Sequence, residues 1–235
     1  MIHLWEPRPA GEGGLYLVFG NVISQELNRS VHRMALAIRQ REIPGITDCV
    51  PGYSTLYVEF DVGAWSAQEL ANYLRTISWN DGETWRTRQL LIPVCYEDEY
   101  APDLQDVAEG HHMAPREVVE IHAGQEYQVY FIGFTPGFAF MGTVDERIAT
   151  QRHATPRVII PAGSVGIANR QTGVYSVQSP GGWRIVGRTP LLLYNSEGEE
   201  PILLRPGDLV RFVPIGKEEF RNIQNDPKEW RLLAK

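Results

Sequence analysis

The alternation of apolar and polar positions changes character part-way along the chain. Leu15 to Phe19 reads as a strand, and Ser24 is placed to cap a helix whose Leu27, Val31, Met34, Ala35 and Ile38 recur at helical spacing. Pro44-Gly45 ends that helix. Ile46 to Val50 and Ser54 to Phe60 form a hairpin through Pro51-Gly52-Tyr53, with Leu56, Val58 and Phe60 on one face of the second strand. Ser66-Ala67-Gln68-Glu69 has the form of a capping box, followed by the stripe Leu70, Leu74 and Ile77. Gln89 to Val94 is again a strand. The order β-α-β-β-α-β over Leu15 to Val94 predicts a ferredoxin-like α+β domain, with two helices on one face of an antiparallel sheet.

From Tyr96 the texture changes. A short helix spans Asp103 to Ala108, another opened by Pro115 runs to His122, and after that the helical period disappears. Glu126 to Ile132, Val158 to Ile160, Ser164 to Ile167, Gly173 to Val177, Trp183 to Val186, Leu191 to Tyr194 and Asp208 to Val213 are short strands divided by Gly and Pro. Together they predict a closed or nearly closed barrel. The boundary is placed at Thr84 to Arg88, giving an N-terminal α+β domain over 1–86 and a mainly-β barrel domain over 87–235.

Composition narrows the functional class. The length of 235 residues accommodates two small domains, and the hydrophobic and charged fractions, 43% and 22%, are those of a folded globular chain. A formal charge of -7 without a Lys/Arg cluster argues against nucleic-acid and anionic-membrane partners. No apolar run approaches the ~20 residues of a spanning helix. Met1 to Gly20 carries Glu6 and Glu12 where a signal peptide needs an apolar centre, so the expected location is the cytoplasm. Cys49 and Cys95 lie far apart in no C-x-x-C spacing and read as buried hydrophobes rather than as a disulfide or metal ligands.

The stretch from Gly133 to Pro190 concentrates the candidate chemistry. Glycine permits positive φ and close backbone approach, and proline fixes φ while removing a donor, so such segments make rigid turns with N–H groups able to face a ligand. Barrel turns alone account for much of this Gly and Pro. They do not account for Arg157, Ser164, Gln171, Tyr175 and Trp183 lying among them. Ala162-Gly163-Ser164-Val165-Gly166 is close to a nucleophile elbow, but Ala162 replaces the first glycine and a strand follows instead of a helix. Ser164 and its neighbouring N–H groups are therefore read as donors to an anionic or carbonyl oxygen. Arg157 either grips a carboxylate in bidentate fashion or belongs to an intradomain ion pair. His111-His112 lacks a second cluster at ligand spacing, which argues against a metal. His122 ends a helix before the first barrel strand, and is either a structural histidine or a general base. Neither G-x-x-x-x-G-K-[ST] nor G-x-G-x-x-G after a strand occurs, so no nucleotide-phosphate cradle is recognised.

Read together, Gly133-Phe134-Thr135-Pro136-Gly137-Phe138, Thr155-Pro156-Arg157, Pro161-Ala162-Gly163-Ser164-Val165-Gly166-Ile167-Ala168, Gln171-Thr172-Gly173-Val174-Tyr175, Ser179-Pro180-Gly181-Gly182-Trp183 and Gly187-Arg188-Thr189-Pro190 strongly resemble one family. It is that of the B component of the bacterial biotin-independent 5-oxoprolinase, which includes the Kip inhibitor of a sporulation histidine kinase and proteins labelled allophanate hydrolase subunit 1. It is similar to the second half of the carboxyltransferase domain of urea carboxylase. Weaker likeness extends through Val50-Pro51-Gly52-Tyr53, Ile92-Pro93-Val94-Cys95-Tyr96, Pro102-Asp103-Leu104 and Arg205-Pro206-Gly207-Asp208. The chain departs from the family pattern at Gln151-Arg152, at Asn169-Arg170 and at Ser176.

The resemblance implies a cyclophilin-like barrel and a hetero-oligomer with 5-oxoprolinase subunits A and C that hydrolyses 5-oxo-L-proline to glutamate. This chain would bind no cofactor, and a partner subunit would use ATP. On this reading Arg157 binds an anion, the Gly163-Ser164 and Gly181-Gly182 backbone stabilises oxygen, Gln171 and Tyr175 orient the substrate, and His122 is the general base. Phe138, Pro180 and Trp183 complete the binding surface. A second reading has the barrel dock on a histidine kinase through Phe138, Phe140, Met141 and Trp183 as exposed anchors. Prolyl isomerisation is a third, by analogy of fold alone.

Overall fold

A computed structural model describes residues 5–78, 87–227, 230 and 232. The chain divides into two compact units, Met1–Trp85 and Arg86–Lys235. Of the expected boundary, Thr84 to Arg86 lie outside the described residues.

The first unit contains β1 (Glu6–Pro9), β2 (Gly14–Val18), α1 (Gln25–Gln40), β3 (Ile46–Pro51), β4 (Thr55–Phe60) and α2 (Ala67–Leu74). The strands form an antiparallel sheet in the order β1-β2-β4-β3. Alternation along β2 and β4 turns Leu15, Leu17, Leu56, Val58 and Phe60 inward, where they meet Val31, Met34 and Ile38 of α1 and Leu70 and Leu74 of α2. The Ser66–Glu69 capping box forms: the Ser66 hydroxyl accepts from the Glu69 N–H at 3.2 Å and the Glu69 carboxylate accepts from the Ser66 N–H at 3.0 Å. Ser24 occupies the N-cap of α1 without a side-chain bond.

The last strand of the β-α-β-β-α-β pattern is placed differently from expectation. Gln89–Cys95 (β5) belongs to the second unit, and β1 fills the sheet edge beside β2. The physical reason lies in its composition. Leu90, Ile92, Val94 and Cys95 are all buried, and a near-continuous apolar run suits a wall covered on both faces better than an edge with one wet side.

The second unit continues with α3 (Leu104–Gly110), α4 (Pro115–Ala123), β6 (Glu126–Ile132), β7 (Ala139–Gly142), β8 (Arg157–Ile160), β9 (Ser164–Ala168), β10 (Gln171–Val174), β11 (Ser179–Gly181), β12 (Arg184–Arg188), β13 (Leu209–Ile215) and α5 (Lys217–Asn225). The closed barrel runs β10-β7-β6-β13-β5-β12-β9, while β8 and β11 form a separate two-stranded ribbon. Among the described residues every barrel pairing is antiparallel except β5 with β13. Leu191 to Tyr194, read as a strand, is a loop held by one isolated bridge, Tyr194↔Ile202. Helix α5 breaks the expectation of strands and turns alone. Its buried face is only Phe220 and Ile223, too little for a visible period, and it packs on Cys95 and Ile215. Among the described residues no helix is long and apolar enough to cross a membrane.

Candidate functional site

The turn-rich stretch builds a second, small core on the barrel. Phe138 at the head of β7, Ile160 at the end of β8, Tyr175 after β10, and Trp183 and Ile185 at β12 pack together with Ala168. Phe138 meets the rings of Tyr175 and Trp183 edge to face, with centroids 5.1 and 5.4 Å apart, the arrangement that aromatic quadrupoles favour. Phe138, Met141 and Trp183 are buried, so they are not the exposed anchors of the kinase-docking reading; Phe140 is half-buried and stacks on Phe131 at 4.4 Å. Among the described residues of this unit, the large apolar side chains that do reach solvent are Phe134, Val158, Ile159 and Leu192.

Two glycines are fixed by what surrounds them. Gly163 has φ +83°, and a Cβ there would run into the carbonyl of Thr189. A Cβ on Gly181 would strike the Tyr175 hydroxyl. Burial raises the pKa of that hydroxyl, against the hydrogen bond from the Trp183 backbone N–H and the charges of Arg152 and Arg157. Tyr175 thus braces the Gly181-Gly182-Trp183 turn.

The oxygen-stabilising role expected of Gly163-Ser164 is not available to their backbone. The Gly163 N–H donates to the Tyr175 carbonyl at 2.6 Å and the Ser164 N–H to the Pro161 carbonyl at 3.3 Å, which closes the turn on itself. Ser164 is buried in β9. Gln171 is not brought to it. In the β9–β10 hairpin Gln171 pairs with Ala168 and Val174 with Val165, and the Tyr175 N–H donates to the Ser164 carbonyl, so four positions of strand, about 13 Å, separate Gln171 from the Ser164–Tyr175 end. Pro180 lies exposed on β11, and Gly181 and Gly182 are half-buried beside it. Two hydroxyls of the region, Thr135 Oγ1 and Ser179 Oγ, are buried with no hydrogen-bond partner among the described residues.

His122 is corrected from general base to structural connector. It is fully buried, stacked on Phe212 with centroids 4.9 Å apart, and both ring nitrogens are engaged. Tyr96 Oη lies 2.9 Å from Nδ1, and Nε2 lies 3.0 Å from Thr172 Oγ1, which itself donates to the Gly166 carbonyl at 3.0 Å. That chain of donors assigns the neutral imidazole with its proton on Nε2. Burial lowers its pKa to about 3. An imidazole without a free lone pair or a path to solvent has no means of taking a proton from a substrate.

Arg157 resolves to the ion pair rather than to the free anion binder. Its Nη1 and Nη2 donate to the two oxygens of Asp103 at 2.7 and 2.6 Å. The same carboxylate accepts from the Ile185 N–H at 2.6 Å, and His153 Nε2 lies 3.1 Å from it and 3.0 Å from Arg157 Nη1. Burial pushes the Asp103 pKa up, yet the hydrogen bonds from Arg157, Ile185 and His153 hold it below the usual range. Asp103 therefore ties the β8–β11 ribbon and the preceding loop to the barrel wall at β12. Asp103 shows in the sequence only at a helix start and as part of Pro102-Asp103-Leu104, and His153 not at all, with nothing to mark either as a site residue. A buried acid preceding a helix carries no period, and its partner is 54 positions away.

A family model described as the carboxyltransferase domain, subdomain C and D, matches residues 5–204. The chain belongs to this family. It is 40% identical over 223 residues to a protein of Bacillus subtilis (strain 168) named as the B component of 5-oxoprolinase, covering 89% of this chain and 92% of that one. Among solved structures, TTHA0988 is similar with 38% identity and a TM-score of 0.75, over 86% of this chain. The chain spans only 40% of the length of that solved chain. The K. lactis urea amidolyase, at 20% identity and a TM-score of 0.80 over 96% of this chain and 16% of its own, shares the fold.

Proposed function

We propose that this chain is the B component of a biotin-independent 5-oxoprolinase, which with subunits A and C hydrolyses 5-oxo-L-proline to L-glutamate at the expense of ATP. The observation that carries the reading is the 40% identity to the Bacillus subtilis B component, which extends over nearly the full length of both chains. A lactam resists water through amide resonance; transfer of the ATP γ-phosphoryl group to the amide oxygen, releasing ADP, removes that resonance. Water then adds to the ring carbon, the ring nitrogen leaves as the free amine, and a second water releases phosphate from the resulting acyl phosphate. The absence of a nucleotide-phosphate motif from the sequence supports placing ATP on a partner subunit. This chain's part is to hold the substrate and stabilise developing charge, with the Gly181-Gly182 turn as the oxygen-facing backbone, braced by Tyr175 and Trp183. The assembly works in the cytoplasm. Its domains, 1–86 and 87–235, follow a ferredoxin-like layout, in which β1 stands in for the final strand, and a cyclophilin-like barrel.

The test is to co-express the chain with subunits A and C and to measure ATP-dependent glutamate release. Release that needs all three chains is the expected result. Glutamate release by A and C alone, at the same rate, would overturn the proposal.

A further inference from the structure

From Arg147 to Ser196 the sequence holds Arg147, Arg152, Arg157, Arg170, Arg184 and Arg188 and no Asp or Glu, within a chain whose formal charge is -7. The fold neutralises most of these cations with carboxylates from earlier in the chain. Arg147 meets Asp145 at 2.8 Å, Arg157 meets Asp103 at 2.6 Å, Arg170 meets Glu146 at 2.7 Å, and Arg184 approaches Asp106 at 3.7 Å. Arg188 spends its Nε on the Ala162 carbonyl at 2.9 Å. Arg152 is different. Its side chain has no carboxylate or carbonyl partner among the described residues, and its guanidinium lies over the Trp183 ring, 6.0 Å from the centroid.

The backbone around Arg152 is held at each neighbouring residue. The Thr150 carbonyl accepts from the Asn169 N–H at 2.7 Å, the Gln151 carbonyl accepts from Arg184 Nε at 3.2 Å, and the His153 N–H donates to the Gly182 carbonyl at 2.7 Å. The His153 ring is fixed in turn by Asp103 and Arg157. A loop pinned in this way fixes the backbone from which the exposed Arg152 side chain extends, and the Trp183 ring is the surface its guanidinium lies over. A guanidinium lying on an aromatic face keeps its in-plane donors free, and two of them match one carboxylate. Gly182 is alongside: a Cβ there would lie 3.9 Å from the Arg152 Cβ, so the turn proposed to meet the substrate oxygen and the unspent cation share one place.

We infer that Arg152, lying on Trp183 beside Gly182, is the carboxylate anchor of the site and selects an anionic lactam over a neutral one. The inference rests on the 5-oxoprolinase reading, and it assigns to Arg152 the anion-binding part that the Asp103 pair denies to Arg157.

The experiment compares wild type, Arg152→Gln and Arg152→Lys in the three-subunit assembly, with 5-oxo-L-proline and with pyrrolidin-2-one, the same ring without its carboxylate. Loss of a charged, bidentate contact is expected to raise KM for 5-oxo-L-proline roughly 10- to 100-fold in Arg152→Gln, with a smaller change in kcat and none in KM for ATP. The lysine variant should fall in between, and turnover of pyrrolidin-2-one should be equally low in all three. An unchanged KM for 5-oxo-L-proline, or a change confined to ATP, overturns the assignment while leaving the oxoprolinase reading intact. If wild-type assembly releases no glutamate, that reading fails first. The anchor is then judged by binding: the Trp183 indole N–H resonance should move with 5-oxo-L-proline, not with pyrrolidin-2-one, and not in Arg152→Gln. No movement in wild type overturns it.

Discussion

Asp103 and Arg157 join through two parallel hydrogen bonds of 2.6 and 2.7 Å, one carboxylate oxygen to each guanidinium nitrogen. Asp103 is almost fully buried, whereas Arg157 remains about one-third exposed, with side-chain exposures of 2% and 34%. Replacing the acid therefore strands a partly solvated cation and leaves the buried Ile185 N–H without its acceptor. Asp103→Ala is expected to destabilise the barrel unit by ~2–3 kcal/mol, measured by urea denaturation. A cost below ~0.5 kcal/mol, the range of ordinary surface changes, would mean that the pair does not anchor the ribbon.

The pair also has a pH signature. Its folded pKa lies below the unfolded value of 3.8, so its stabilisation is present above that value and is lost as pH falls through the lower folded one. Stability of Asp103→Asn should therefore depend less steeply on pH below about 4 than that of wild type. Parallel slopes in the two proteins would contradict this.

His122 gives a separate window. Its pKa drops from 6.5 unfolded to about 3 folded, so between these values the unfolded chain binds the proton and the folded chain does not. Stability then falls as pH falls from 6.5, by ~2 kcal/mol at about pH 5 from this residue alone. Imidazole NMR should show His122 neutral, with its proton on Nε2, down to about pH 4.5 or lower. A ring that titrates near 6.5 would contradict the buried network.

The two classes of aromatic residue in the turn region should behave oppositely. Phe138→Ala opens a cavity among Tyr175, Trp183 and Ile160 and is expected to cost ~3–5 kcal/mol. Phe134, 64% exposed, should tolerate alanine within ~0.5 kcal/mol. Equal costs would place Phe134 in the core.

Gly163→Ala meets both a left-handed backbone and the Thr189 carbonyl, and is expected to cost at least ~2 kcal/mol. Wild-type stability in this variant would mean the turn has room to open.

Local signals were legible where one segment decides the outcome. The Ser66–Glu69 cap, Pro115 opening α4 and the turn-divided barrel strands follow from residues adjacent in sequence. Pairings between distant segments were not. The apolar run of Gln89 to Val94 asks for cover on both faces but does not name the parallel partner Leu209–Ile215, nor does Glu6–Pro9, with two prolines, advertise itself as the replacement edge. The glycine and aromatic residues of the site were visible as a cluster, but whether each side chain faced a ligand or a neighbour depended on the fold. Arg157 and His122 look functional because they are chemically capable; their partners Asp103, Tyr96 and Thr172 come from elsewhere in the chain. Arg152 is inconspicuous as a ligand for the converse reason, since an unspent cation is recognised only once every carboxylate has been placed.

The pairing of β5 with β13 has a consequence for synthesis. The strand that opens the barrel and the one that closes it lie side by side, with Cys95 opposite Ile215, so a nascent chain still on the ribosome holds an unfinished wall with exposed edges until its last strand emerges. The first unit, whose sheet needs nothing beyond Phe60, has no such wait.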